Sequence, residues 1–427
     1  MAMNRRKLAI LIVGLLATAA VAGTAGASRT STPGVTSKQI TIGGTFPFTG
    51  PASLYKTIPA AELAFYKYVN AKYHGVHGRK INDIALDDGY NPAQTVPDVK
   101  KLVEQDHVFA IVGSLGTAPG LSTWGYLNQH KVPQVLLATG DAYWGNCVHH
   151  ACQGGTKPWT MGWQPDYPGE AKLYAKYILK HKNNAKIGVL YQNDAFGKNY
   201  LAGLKTGLGA HKGDIVDAES YSVTDPGPVI QAHVGKIAAS GANVFVIFAT
   251  PTAAITALAT EGHIPGWNPL TINSNVSANR LFMGLAAQNG ANVNGVLSTT
   301  YVASQSAQPN LPGMKLAKKI IHKYAPNGVG TLDGQFATGD NNLVYGLAVG
   351  WTFWDALKHA GKNPTRAGLM HALRHMNEKN NPFIYPGMVV KTSNKRTFPM
   401  EQLIFEKWAG GGAGDWKTFG KVLNSGH

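Results

Sequence analysis

Cysteine is scarce: the 427 residues hold two, both inside "CVHHAC" at positions 147–152. They can make at most one bridge. In an exported chain so close a pair is expected to form a disulfide that staples a surface loop. The competing reading is a metal site built from Cys147, His149, His150 and Cys152. Its spacing fits no common zinc pattern, because a structural site wants ligands presented from two separated arms. Long apolar runs are missing too, apart from Leu8 to Gly23. That run is short for a bilayer span, which takes about 20 residues. Arg5, Arg6 and Lys7 precede it and Ala25-Gly26-Ala27 follows, so residues 1–27 read as a cleavable signal peptide. An uncleaved anchor is the weaker alternative. No cysteine follows the run, which argues against a lipoprotein, and the Arg pair matches a twin-arginine signal poorly. Export by the general route and an extracytoplasmic location are expected.

Acidic residues are outnumbered, 23 against 39, for a formal charge of +16. Without Arg5, Arg6 and Lys7 the balance is 36 against 23, or +13. The lysines are scattered over apparent outer helix faces, as in "KYILKHKNN" and "KLAKKIIHKY". No basic run is interleaved with aromatics, so no nucleic-acid partner is expected. Catalytic signatures are absent as well. There is no G-x-S-x-G, no H-E-x-x-H and no G-x-x-x-x-G-K-[ST]. Nor is there a low-complexity segment or a short-period repeat.

A globular chain remains, 44% hydrophobic and 15% charged, of a length that suits two domains. From Gln39 onward short apolar runs alternate with amphipathic stretches. "QITIGGTF", "INDIALDDG", "HVFAIVG" and "VPQVLLATG" read as strands, separated by helices such as "PAAELAFYKYVNAKYHG" with Gly75 as its stop. This alternation predicts a parallel sheet covered on both faces. "GGTKPWTMGWQPDYPG" then reads as a crossing, after which the rhythm restarts with "AKIGVLYQND", "DIVDAESYSV", "NVFVIFATP" and "PLTINSN". The tail offers helical patterns from Leu311, Asp340 and Pro364 and two late strands, "YPGMVVKT" and "MEQLIFEKW".

Two α/β lobes joined by crossings make a hinged cleft, and ligands of open α/β sheets sit outside the carboxyl ends of the strands. The residues just after each strand are therefore the informative ones. As catalysts they are poor, since none of these loops holds a histidine. Asp87-Asp88 lacks the alternating acids of a calcium loop and reads as a strand end before an Asn91-Pro92 helix start. Asp141 and Asp194 read as helix caps. As binders the same loops are well equipped. In "AIVGSLGTAPG" (110–120) Gly116 lets backbone approach a ligand. Thr117 reads as a cap of the following helix or as part of a grip, with Thr139 and free helix N–H groups, on a carboxylate. Tyr55, Tyr143, Trp144 and Phe196 also lie in strand-end loops and are candidates for an aromatic wall.

"ITIGGTFPFTGPASLY", "VNAKYHGVHGRKI", "LDDGYNP", "KLVEQDHVFAIVGSLGTA", "YLNQHKVPQ" and "ATGDAYW" closely resemble the branched-chain amino-acid-binding family, the type I periplasmic substrate-binding proteins of ABC importers. The likeness runs from about Gln39 past Trp408. It implies two doubly wound parallel-sheet lobes joined by three hinge crossings. The expected division is lobe 1 at 38–162 plus 300–396 and lobe 2 at 163–299 plus 397–420. By the resemblance, Gly116-Thr117 and Ala138-Thr139 hold the ligand carboxylate and contact its ammonium. Tyr55 borders the solute from the first lobe, and Phe196 and Thr250 do so from the second. Family members that bind amino acids place an acid where this chain has Asn275, to pair with the α-ammonium. Its absence predicts a ligand without a free α-ammonium: an aromatic or aliphatic carboxylate, or a small amide. Asp141 or Asp194 is the alternative ammonium partner. The resemblance further implies a monomer that binds a small molecule, meets an ABC permease at the membrane and needs no metal, cofactor or catalytic residue. A sensor that passes its solute to a signalling receptor and an exported α/β hydrolase or dehydrogenase are the rival readings.

Overall fold

In the computed structural model, residues 32–152 and 154–425 are described. The expected signal peptide, 1–27, lies outside them. Five parallel strands form the first sheet: β1 (Gln39–Phe46), β2 (Lys80–Asp87), β3 (Ile111–Val112), β4 (Gln134–Leu137) and β5 (Thr160–Gly162), in the order β2-β1-β3-β4-β5. The helices α1 (Thr57–Tyr73), α2 (Pro92–Glu104), α3 (Thr117–Gln129) and the short α4 (Tyr143–Asn146) connect them. Asn91 caps α2 by accepting from Ala93 N at 3.0 Å, and Pro92 fills the first turn, where a missing N–H costs nothing. α1 ends two residues before Gly75, with His74 between them in the left-handed conformation.

The second sheet begins with β6 (Ile187–Gln192), β7 (Ile215–Tyr221), β8 (Val244–Phe248), β9 (Leu270–Asn273) and β10 (Leu297–Thr300), all parallel. Around it lie α5 (Tyr167–His181), α6 (Ala195–Leu208), α7 (Gly227–Ala239), α8 (Pro251–Gly262) and α9 (Arg280–Gln288). The central strand β8, "VFVIF", is buried at every position, the pattern of a strand covered on both faces.

After β10 the chain returns to the first lobe as α10 (Pro312–Tyr324), α11 (Asp333–Ala337), α12 (Asn341–His359) and α13 (Arg366–Arg374). α12 packs on α1 so closely that a Cβ on Gly346 would lie 2.3 Å from the carbonyl oxygen of Ile58. Only glycine fits there. Of the two late strands, "YPGMVVKT" yields just β12 (Val390–Lys391), paired with β11 (Asn377–Glu378) in a separate ribbon. β13 (Gln402–Ala409) joins the second sheet antiparallel to β10, and β14 (Asp415–Asn424) joins antiparallel to β13. The full order is β14-β13-β10-β9-β8-β6-β7, so this sheet is mixed at one edge. The chain thus passes between sheets before α5, after β10 and before β13. It has the type I periplasmic-binding-protein fold.

Cys147 and Cys152 are joined, with Cα atoms 5.5 Å apart, just after α4. The metal alternative is thereby excluded for these thiols. No group of three or more potential metal-ligating side chains occurs among the described residues.

Candidate functional site

Strand order reverses at β1/β3 in the first sheet and at β6/β8 in the second, the places where α/β sheets open a crevice at their carboxyl ends. One cleft, with about 800 Å³ of empty space when its open mouth is included, is lined from both sides there. Tyr55, Gly116, Thr117 and Ala138 line it from the first lobe, and Phe196, Thr250 and Asn275 from the second. Thr139 stands just behind, its hydroxyl 2.7 Å from that of Thr117.

Thr117 is not the cap of α3. The cap position belongs to Gly116, whose φ of 112° suits glycine and which offers no side-chain bond to the helix. Thr117 occupies the first helical position, so its hydroxyl is free to pair with Thr139. The N–H groups of Thr117 and Ala118 begin the helix and have no partner within it. A Cβ on Gly116 would sit 2.6 Å from Cε2 of Tyr90, so the turn and this ring are fitted to each other. Tyr90 itself has φ 61°, strained for a tyrosine. Asp88 holds that turn by accepting from Tyr90 N at 2.9 Å and from the Thr95 hydroxyl at 2.9 Å.

The lobes touch across the cleft. Tyr55 donates its hydroxyl to the Val276 carbonyl at 3.0 Å, and Thr252 donates to the Pro51 carbonyl at 3.1 Å. Ala142 N meets Asn199 Oδ1 at 3.3 Å, and Asn279 Nδ2 meets Asp340 Oδ1 at 2.6 Å. These bonds tie the two lobes together beside the cleft. Thr250 contributes less than its position suggests, because its hydroxyl is engaged with Tyr221 and Gln192 at 3.2 Å each.

Two of the expected wall aromatics are elsewhere. α4 turns Tyr143 and Trp144 onto Trp124, with ring centroids 5.8 and 5.7 Å away, and neither lines the cleft. Apolar stacking behind the sheet wins over the cavity. Asp141 and Asp194 do not line it either. Asp141 accepts from Tyr143 N at 2.8 Å, and Asp194 caps α6 through Gly197 N at 3.3 Å while accepting from Gln192 Nε2 at 2.6 Å. Burial, opposed by the Tyr143 N–H and reinforced by Asp194, pushes Asp141 up to about 7. The alternative of either acid as an ammonium partner is not supported.

The sequence reading missed Glu170, in the first turn of α5 and fully buried. Its Oε1 accepts from the Tyr174 hydroxyl, Asn275 N and the Thr299 hydroxyl. Its Oε2 accepts from the Tyr200 hydroxyl and Asn275 Nδ2. The Asn275 amide therefore faces Glu170, and the loop presents the cavity with no carboxylate. Tyr90, Tyr167, Tyr301 and Tyr345 also line the cleft unforeseen. Tyr167 and Tyr301 come from crossings, where an aromatic beside a Pro-rich or strand-end break was the available signal. Burial pushes the Tyr167 hydroxyl up to about 12, opposed by the Gly140 backbone and the Thr139 and Thr117 hydroxyls.

The family model described as "Periplasmic binding protein" matches residues 39–412. Leu/Ile/Val-binding protein homolog 3 of Brucella melitensis biotype 1 is 27% identical over 263 residues, 61% of this chain and 67% of the relative. A branched-chain amino acid ABC transporter protein of Thermus thermophilus, solved with bound valine, superposes with a TM-score of 0.77 at 18% identity, over 91% of this chain and 97% of its own. A fatty acid ABC transporter substrate-binding protein of Thermomonospora curvata superposes with a TM-score of 0.73 at 19% identity, over 91% and 94%. At such identities the superpositions speak for the fold. With the model match across both lobes, the chain belongs to the periplasmic binding protein family.

Proposed function

We propose that the protein captures a small organic carboxylate or amide in the interlobe cleft, outside the cytoplasm, and delivers it unchanged to an ABC permease as a monomer. The reading rests above all on the corner where the Thr117 and Thr139 hydroxyls, 2.7 Å apart, adjoin the unpartnered first N–H groups of α3. Neutral donors at a helix start favour an anion by about 0.3–1 kcal/mol, more when partly buried, and each charge-assisted hydrogen bond adds ~1.5–3 kcal/mol. Together they suffice for a micromolar site. Gly116, Ala138, Tyr55 and Phe196 supply close approach and walls. The names of the relatives point the same way, since valine and a fatty acid share one group, the carboxylate. Asn275, committed to Glu170, argues against an α-ammonium in the ligand, because burying one without its counter-charge costs about 3–5 kcal/mol. Among the described residues no helix is long and apolar enough to cross a membrane.

A thermal-shift screen of the purified protein against amino acids, aromatic acids, aliphatic acids and amides tests this reading. A true ligand at a hundred times its Kd adds ~2.7 kcal/mol of stability. The largest shift is expected from an acid or amide lacking an α-amino group. Leucine or valine in first place contradicts that part, and no shift from any member contradicts the whole.

A further inference from the structure

Glu406 lies on β13 opposite Ser298 of β10, and only 5% of it is exposed. It lines the interlobe cavity at the hinge side, where β10 runs into the crossing at Thr300–Val302. Its situation is the reverse of that of Glu170. Where Glu170 is met by donors on both oxygens, the influences on Glu406 include no hydrogen bond. They are burial first, then Asp415 and Glu170, both of its own sign, and all raise its pKa. The Arg280 guanidinium on α9 is turned instead to Asp415, at 3.8 Å, and to the Gly414 carbonyl, at 3.1 Å. A buried carboxyl group without donor or counter-ion opposes folding, and such groups concentrate where a ligand completes them.

We propose that Glu406 receives a positively charged nitrogen of the ligand, which is thus a small carboxylate whose amino group stands several atoms from the carboxylate and not beside it. The inference rests on the reading of the cleft as a carboxylate site. The acid end stays at Thr117 and Thr139 in the first lobe, and the cationic end reaches across to the second-lobe strand β13 by the hinge. The loop that would serve an α-ammonium is closed to it, since Asn275 is bonded to Glu170. One molecule then spans both lobes through opposite charges, and closure brings its two ends to their partners.

Calorimetric titration with matched probes tests the proposal: 4-aminobutanoate, 5-aminopentanoate and 6-aminohexanoate against butanoate, pentanoate and hexanoate. At least one amino acid of the set is expected to bind about tenfold or more tightly than its plain counterpart, the size of one charge-assisted hydrogen bond. Glu406→Gln should reduce that preference below about threefold, and Glu406→Asp, which keeps the charge, should retain part of it. The unliganded Glu406→Gln protein should also melt higher than wild type at pH 8, because a buried carboxyl group without donor or counter-ion is gone. That readout shows the variant folds and sets a ligand role apart from a structural one, which would lower the melting point. Plain acids binding as tightly as their amino counterparts, or a preference that survives Glu406→Gln, overturns the inference but leaves the carboxylate site standing. Failure of every probe, with and without the amino group, overturns both.

Discussion

Gly116 sets how near a ligand comes to the first turn of α3. A methyl there meets the Tyr90 ring at 2.6 Å, and φ of 112° is strained for alanine. Gly116→Ala is expected to push Tyr90 into the cavity and weaken binding of the acid that gives the largest thermal shift by at least about tenfold, measured by calorimetry. Unchanged affinity would remove the turn from the site. Glu170 belongs to the scaffold instead. Glu170→Ala leaves Tyr174, Tyr200, Thr299 and Asn275 without their acceptor, and chemical denaturation should record a loss on the order of 3–5 kcal/mol. A loss below 1 kcal/mol contradicts that assignment. Tyr55, Gly116, Thr117 and Phe196 could be placed at the cleft from sequence because each follows a strand, and the family resemblance added Ala138, Thr250 and Asn275. Glu406 could not. It sits inside "LIFEKW", where a strand acid normally faces water, and only the pairing with β10 turns it inward. Tyr143 and Trp144 misled for the converse reason, since a short helix after β4 carries them to Trp124.

At the scale of elements, the apolar runs and their separating helices were readable because each obeys a local period. Lengths were not. "HVFAIVG" becomes a two-residue strand, paired to β1 only at Ile111 and to β4 only at Ile111 and Val112. β14 escaped altogether because four of its positions from Lys417 to Gly420 are exposed and its partner β13 alone specifies it. The Cys147–Cys152 bridge closes a short loop beyond α4, outside the cleft lining. Loop-closure entropy over so few residues gives ~2 kcal/mol. The double variant Cys147→Ser/Cys152→Ser should lose up to about that much stability and keep its ligand affinity. A fall in affinity beyond twofold would tie the loop to binding.

The whole molecule buries several carboxyl groups whose folded pKa is raised. Burial pushes Asp141 and Glu261 up to about 7, and Glu378 up to about 8. Unfolded, such groups titrate near 4. Between those values the folded state binds more protons, so its stability is full below about pH 4 for these groups and is lost as pH rises through 7 to 8. Calorimetry should find the melting temperature several degrees higher at pH 5 than at pH 8. A rise toward pH 8 contradicts the burial of these acids as neutral groups. Cross-lobe bonds such as Tyr55 to Val276 show that the two halves close on the cavity, and closure around an acid is the central claim. A crystal structure with the best-shifting acid bound tests it most directly. Its carboxylate is predicted within hydrogen-bond distance of the Thr117 and Thr139 hydroxyls, beside the first N–H of α3. The same acid seated outside the cleft, or lying in it with its carboxylate turned away from that corner, would contradict it.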